Sequence, residues 1–187
     1  MATVGFDSAI INIGGQEFTI DATQGGAINA SISGLGAESQ TEYASNIPFL
    51  ITTQGVSDVK CSLEVSDILN VEGLYNQLIG VQTVNGISVV GADTKPPYVS
   101  LILISKAKMS GKRMFMGLTK GVFVHPDIEL GTNENSAKTT TDKVEGTFIA
   151  DNRGFVYMSA VEDTAVTLAK FKETLNNTSD NDDQLKK

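Results

Sequence analysis

Apolar and polar residues alternate with a period of two through most of this chain, and follow helical spacing in only two places. Ala9-Ile10-Ile11-Asn12-Ile13 and Phe18-Thr19-Ile20 flank Gly14-Gly15, a pattern that predicts a β-hairpin. Residues 21–46 are rich in Gly, Ser, Ala, Thr and Asn, with Ile28, Ile32 and Leu35 as their only large aliphatics. They read as a weak strand inside a long loop of about residues 21–55. Such a loop is mobile in a free chain and orders on a partner. Val59, Cys61, Leu63 and Val65 alternate with Lys60, Ser62 and Glu64, which predicts a half-buried strand. Ser66 or Asp67 can then cap a helix of about residues 67–79. Its stripe is Ile68, Val71, Leu74, Tyr75, Leu78 and Ile79, and Gly80 stands at the C-cap position.

The second half continues the β pattern. Val81–Val90 reads as strand broken at Asn85-Gly86, and Tyr98–Lys106 is apolar on both faces, as in a central strand. Ser110-Gly111-Lys112 forms a turn from which Arg113–Thr119 returns as the partner strand. Gly121–Leu130 is a further strand, interrupted at Pro126, and residues 131–142 form a polar loop. Val144–Ala150 and Phe155–Ala160 predict a hairpin around Asp151-Asn152-Arg153-Gly154. A looser helical pattern runs over Glu162–Leu175, with Asp163 or Thr164 as its cap. Residues 177–187 form a polar tail expected to be mobile. The fold class is therefore mainly β (α+β): an antiparallel sandwich or barrel-like sheet, one flanking helix and a C-terminal helix. Residues 1–176 form a single domain.

Composition narrows the function. Hydrophobic content of 41% is ordinary for a globular domain of 187 residues, and a net charge of −8 opposes a surface that grips nucleic acid. Cys61 is the single cysteine and reads as a small buried hydrophobe. The start lacks the pattern of a secretory signal, and no apolar run approaches a membrane span.

Catalytic chemistry is missing from the pattern. His125 is the lone histidine, beside Pro126, and nothing marks a nucleophile for it to activate. No His/Cys cluster has zinc spacing, and Gly34-Leu35-Gly36 lacks the third glycine of a dinucleotide loop. Asp180 to Asp183 lack the glycine and terminal Glu of a calcium loop. The reading is a protein with no catalytic residue, no metal and no cofactor.

Charge is segregated along the chain. Residues 1–59 carry Asp7, Glu17, Asp21, Glu38, Glu42 and Asp58 and no Lys or Arg. Residues 94–126 carry Lys95, Lys106, Lys108, Lys112, Arg113 and Lys120 and no Asp or Glu. Either the two segments neutralise each other within one monomer, or they steer copies into one orientation. The second alternative makes Lys106, Lys108, Lys112 and Arg113 candidate subunit-interface residues.

The order of several short segments is similar to a known family. Tyr43-Ala44-Ser45-Asn46-Ile47-Pro48-Phe49 precedes Thr52-Thr53-Gln54-Gly55-Val56, and Leu78-Ile79-Gly80 follows a strand and helix. Then come Asp93-Thr94-Lys95-Pro96-Pro97-Tyr98-Val99, Gly111-Lys112-Arg113, Leu130-Gly131-Thr132 and Asp142-Lys143-Val144-Glu145-Gly146-Thr147-Phe148. This order resembles the major tail (tail tube) proteins of bacteriophages with long non-contractile tails. The resemblance covers roughly residues 4–175. It implies a structural virion protein that closes into hexameric rings stacked as a hollow tube, built in the host cytoplasm. It implies a tape measure protein, a baseplate or initiator and a tail terminator as partners, and genome DNA passing the lumen without specific binding. A long loop would bridge rings, which adds Ser45 and Asn46 to the interface candidates. The competing reading is an immunoglobulin-like adhesin or decoration module, which usually displays exposed aromatics; only 6% of this chain is aromatic.

Overall fold

The computed structural model describes residues 2–37, 39–44, 47–53, 55–56, 58–126 and 140–177. In chain order the strands are β1 (Thr3–Ile13), β2 (Gln16–Ile20), β3 (Ala27–Ser33), β4 (Ser39–Ala44), β5 (Ile47–Thr53) and β6 (Val59–Val65). A 3-10 turn (Ile68–Asn70) and helix α1 (Leu74–Ile79) follow. Then come β7 (Gln82–Val84), β8 (Ile87–Val89), β9 (Val99–Ala107), β10 (Arg113–Phe123), β11 (Asp142–Ile149), β12 (Tyr157–Val161) and helix α2 (Leu168–Asn176).

Eight strands form one antiparallel sheet in the order β2-β1-β9-β10-β11-β6-β3, with β12 also on β10. The sheet turns over at β10. Side chains from β1 and β9 (Ile11, Leu101, Leu103) then share a core with those of β6 and β11 (Cys61, Leu63, Val144). The predicted hairpin at Gly14-Gly15 is present, with Ile13 opposite Gln16. β9 lies between β1 and β10 and is buried on both faces, as its unbroken apolar run requires.

The turn-over has a local cause. One edge of β10 pairs with β9, and the other is shared: Met114–Leu118 pair with β12, and Lys120–Phe123 pair with β11. A register shift between Leu118 and Gly121 bends the strand there. A Cβ on Gly121 would lie 2.3 Å from the Phe148 ring, so only glycine lets that ring cross the bend. Phe148 then meets Phe123 edge-on at 5.7 Å. This overturns the expected hairpin of Val144–Ala150 with Phe155–Ala160. The Asp151–Gly154 turn forms, but its two strands diverge onto different halves of β10.

Three other expectations change. The helix of about residues 67–79 is broken, because Gly73 takes a left-handed φ of 76° and separates the 3-10 turn from α1. Its predicted stripe still faces the core: Ile68, Val71, Leu74, Leu78 and Ile79 are buried. Asp67 caps the turn through Leu69 N–H, and Gly80 closes α1 at a φ of 72°. α2 begins later than Glu162, with Thr167 as its cap, while Asp163 accepts from Ala165 and Val166 in a turn of its own. It lays Phe171 and Leu175 against Ile10, Ile102, Ile104 and Phe115, on the sheet face opposite the main core. Finally, the region read as a long loop of about 21–55 contains a body strand, β3, paired along β6, and a separate two-stranded ribbon of β4 and β5.

Candidate subunit interface

The β9–β10 hairpin brings four of the sequence-predicted residues to one end of the sheet. Lys106 pairs in register with Arg113, and Lys108 and Lys112 lie in the connecting turn. Their environments differ. The Arg113 Nε donates to Glu162 Oε2 at 2.7 Å and its Nη2 to the other carboxylate oxygen. Hydrogen bonding to Arg113 holds the Glu162 carboxyl below its ordinary range and raises the guanidinium in turn. Lys106 Nζ lies 3.7 Å from Asp7 Oδ2, a contact between the two oppositely charged segments within one monomer. Lys120 stands 4.4 Å above the Tyr98 ring. Lys108 and Lys112 are exposed, and among the described residues neither forms an ion pair. Ser45 and Asn46 lie outside the described residues.

A cluster of exposed apolar side chains lies on residues that were not interface candidates from the sequence. On the β4–β5 ribbon Phe49 is 76% exposed, and Tyr43, Ile47, Leu50 and Ile51 are exposed as well. The ribbon pairs only with itself, Thr41 opposite Ile51 and Glu42 opposite Leu50. A two-stranded ribbon is marginal in water by itself, and exposed clusters of this kind mark contact surfaces. The signal was Ile47-Pro48-Phe49-Leu50-Ile51, a nearly continuous apolar run containing a proline. Proline in a strand belongs at an edge. A second small hairpin, β7–β8, also exposes Val84, Ile87 and Val89, and is held to α1 by Ser88 Oγ and Asn76 Oδ1 at 3.0 Å.

The candidates for chemistry have structural partners. Tyr75 Oη lies 2.6 Å from His125 Nε2, and His125 Nδ1 lies 2.6 Å from the Pro126 carbonyl. The carbonyl can only accept, so Nδ1 donates to it, and in the neutral ring Nε2 accepts from the phenol. Burial, and secondarily the Asp142 carboxylate, raises the Tyr75 phenol, which keeps it a donor. Cys61 is buried, and burial pushes its thiol up to about 12, so it is no nucleophile at neutral pH. Among the described residues, no group of three or more His, Cys, Asp or Glu could hold a metal ion, and no helix is long and apolar enough to cross a membrane.

Comparison with known proteins bears on the family and the fold. The family model described as phage tail tube protein matches residues 17–181. No curated protein sequence matches the chain. Among solved structures, the cryo-EM structure of the anti-feeding prophage cap, a tube terminating cap, superposes with a TM-score of 0.50 at 8% identity. The superposition covers 87% of this chain and 93% of that one, and at this identity it is a likeness of fold.

Proposed function

The chain belongs to the phage tail tube proteins, and from that premise we propose that six copies close into a ring and that rings stack into the hollow tail. The role is structural, with no catalytic step. Residues 1–176 act as the tube domain, with the polar stretch 177–187 outside it. Assembly takes place in the bacterial cytoplasm, paced by a tape measure protein, started on a baseplate or initiator and stopped by a terminator. DNA passes through without specific binding.

The observation that carries this reading is the free-standing β4–β5 ribbon. Its Phe49, Ile47 and Ile51 are left exposed among the described residues. A ribbon on one side of a subunit and its acceptor on another make a heterologous contact, which repeats into rings or filaments. Lys108 and Lys112 add a charged contact, facing acidic residues of the neighbour, and Ser45 and Asn46 sit at the same ring-to-ring junction. The test replaces Phe49 and Ile51 by Glu. The variant is expected to keep the subunit's unfolding midpoint and to lose tube formation at every concentration. Normal tubes from the variant would remove the ribbon from the account.

A further inference from the structure

The outer face of β3, β6 and β11 carries an unusual side-chain pattern. The ladders place Ser31, Ser62 and Glu145 in one row across the three strands. Asn29, Glu64 and Lys143 form the row on one side, and Ser33, Lys60 and Thr147 the row on the other. The alternate residues Cys61, Leu63 and Val144 point into the core, so this face points out, and none of its nine positions is buried. The exposed apolar residues of these strands, Ile28 and Ile149, lie beyond the rows at their ends.

The charges cancel: Lys60 and Lys143 against Glu64 and Glu145, in a chain whose total is −8. Two of the four are in direct contact, and a third is held by a hydroxyl. Lys143 Nζ lies 2.7 Å from Glu145 Oε1, and Thr141 Oγ1 donates to Glu64 Oε1 at 2.7 Å. The bond from Lys143 holds the Glu145 carboxyl below its ordinary range, with Lys60 adding to the effect.

We infer that this face of β3, β6 and β11 lines the lumen and is the wall that duplex DNA slides past. The inference rests on the tube reading above. In a tube, a subunit has surfaces for its neighbours, a surface for the outside and a surface for the bore. The exposed apolar ribbon and the β7–β8 hairpin require partners, which assigns them to neighbours. The bore alone faces about one phosphate charge per 1.7 Å of duplex, where a net basic wall would grip and a net acidic wall would repel. A wall whose two lysines are matched by two carboxylates, set among short hydroxyl side chains, does neither. β3 also ends the sheet, leaving an edge that a second copy can extend.

Single cysteines introduced by Ser62→Cys, or by Ser31→Cys or Thr147→Cys as second sites, test the placement. Cys61 is buried and leaves a silent background. A small maleimide and a maleimide on a bulky polymer are each applied to the free subunit and to the assembled tube. Both reagents are expected to label the free subunit. In the tube the bulky reagent should lose access while the small one, entering from the ends, retains it. Labelling of the tube by both reagents would put the face outside, and labelling by neither would put it between subunits; either result overturns the inference while leaving tube assembly intact. A chain that forms no tubes contradicts the assembly reading itself.

Discussion

Tyr75 on α1 and His125, just beyond β10, share a hydrogen bond of 2.6 Å with their rings set edge-on. The bond pins the chain leaving β10 onto the helix that closes the end of the core. His125→Ala is expected to lower unfolding free energy by about 0.5–1.5 kcal/mol, the net value of one such bond. Tyr75→Phe should cost a similar amount, and the double variant little more than either alone, as read by urea denaturation. Tubes should still form. Correctly built tails of His125→Ala that fail to infect would mean that the histidine has a role beyond this contact.

Gly121→Ala tests the bend in β10. The added methyl meets the Phe148 ring at 2.3 Å, where Phe123 holds the ring in place. Overpacking of this kind costs about 1–3 kcal/mol. The loss should appear as a lower thermal midpoint of the free subunit, and trimming Phe148 to Leu in the same chain should recover part of it.

Asp151 supplies a pH dependence. Burial raises its carboxyl, but donors from Phe155 and Arg153 and the Arg153 charge outweigh burial, so its pKa falls below the ordinary 3.8. Arg153 in turn donates to the Thr174 and Leu175 carbonyls at the end of α2. A carboxyl depressed in the folded state contributes stability that is present above its unfolded value and is lost as pH falls through the folded one. Stability should therefore drop below about pH 4. Asp151→Asn should be less stable than the parent at pH 7, and the gap should narrow at pH 3, as measured by denaturant midpoints.

The exposed turn lysines are expected to make assembly sensitive to salt. The screening length falls from roughly 10 Å at 0.1 M salt to about 3 Å at 1 M. Tube growth followed by light scattering should slow over that range. Lys108→Glu with Lys112→Glu should slow it more at low salt than at high salt. Equal rates for parent and variant at every salt concentration would make the basic turn a bystander.

Where a strand's fate depended on its own alternation, the sequence was legible. Val59–Val65 buried the residues that its period of two selected, and Tyr98–Lys106 took the central position that two apolar faces demand. The failures came where a neighbour decided. Phe155–Ala160 had every mark of a hairpin partner, yet the bend at Gly121 split the edge of β10 between two strands. Gly73 was available to read as a helix break, but the apolar stripe across it remained in phase with the core and concealed the interruption. Of the candidate interface, the basic hairpin was visible as charge, whereas its Arg113–Glu162 pairing depends on a contact between residues 49 positions apart. The ribbon was the largest omission, because an apolar run resembles core until the topology sets it apart from the main sheet and leaves it exposed among the described residues.

Negative-stain electron microscopy of the concentrated chain, alone and with isolated tails, tests the central claim most directly. Hollow tubes of stacked rings, with the same chain as the main component of the tails, are the predicted result. Monodisperse subunits at all concentrations, together with absence of the chain from purified tails, would contradict it.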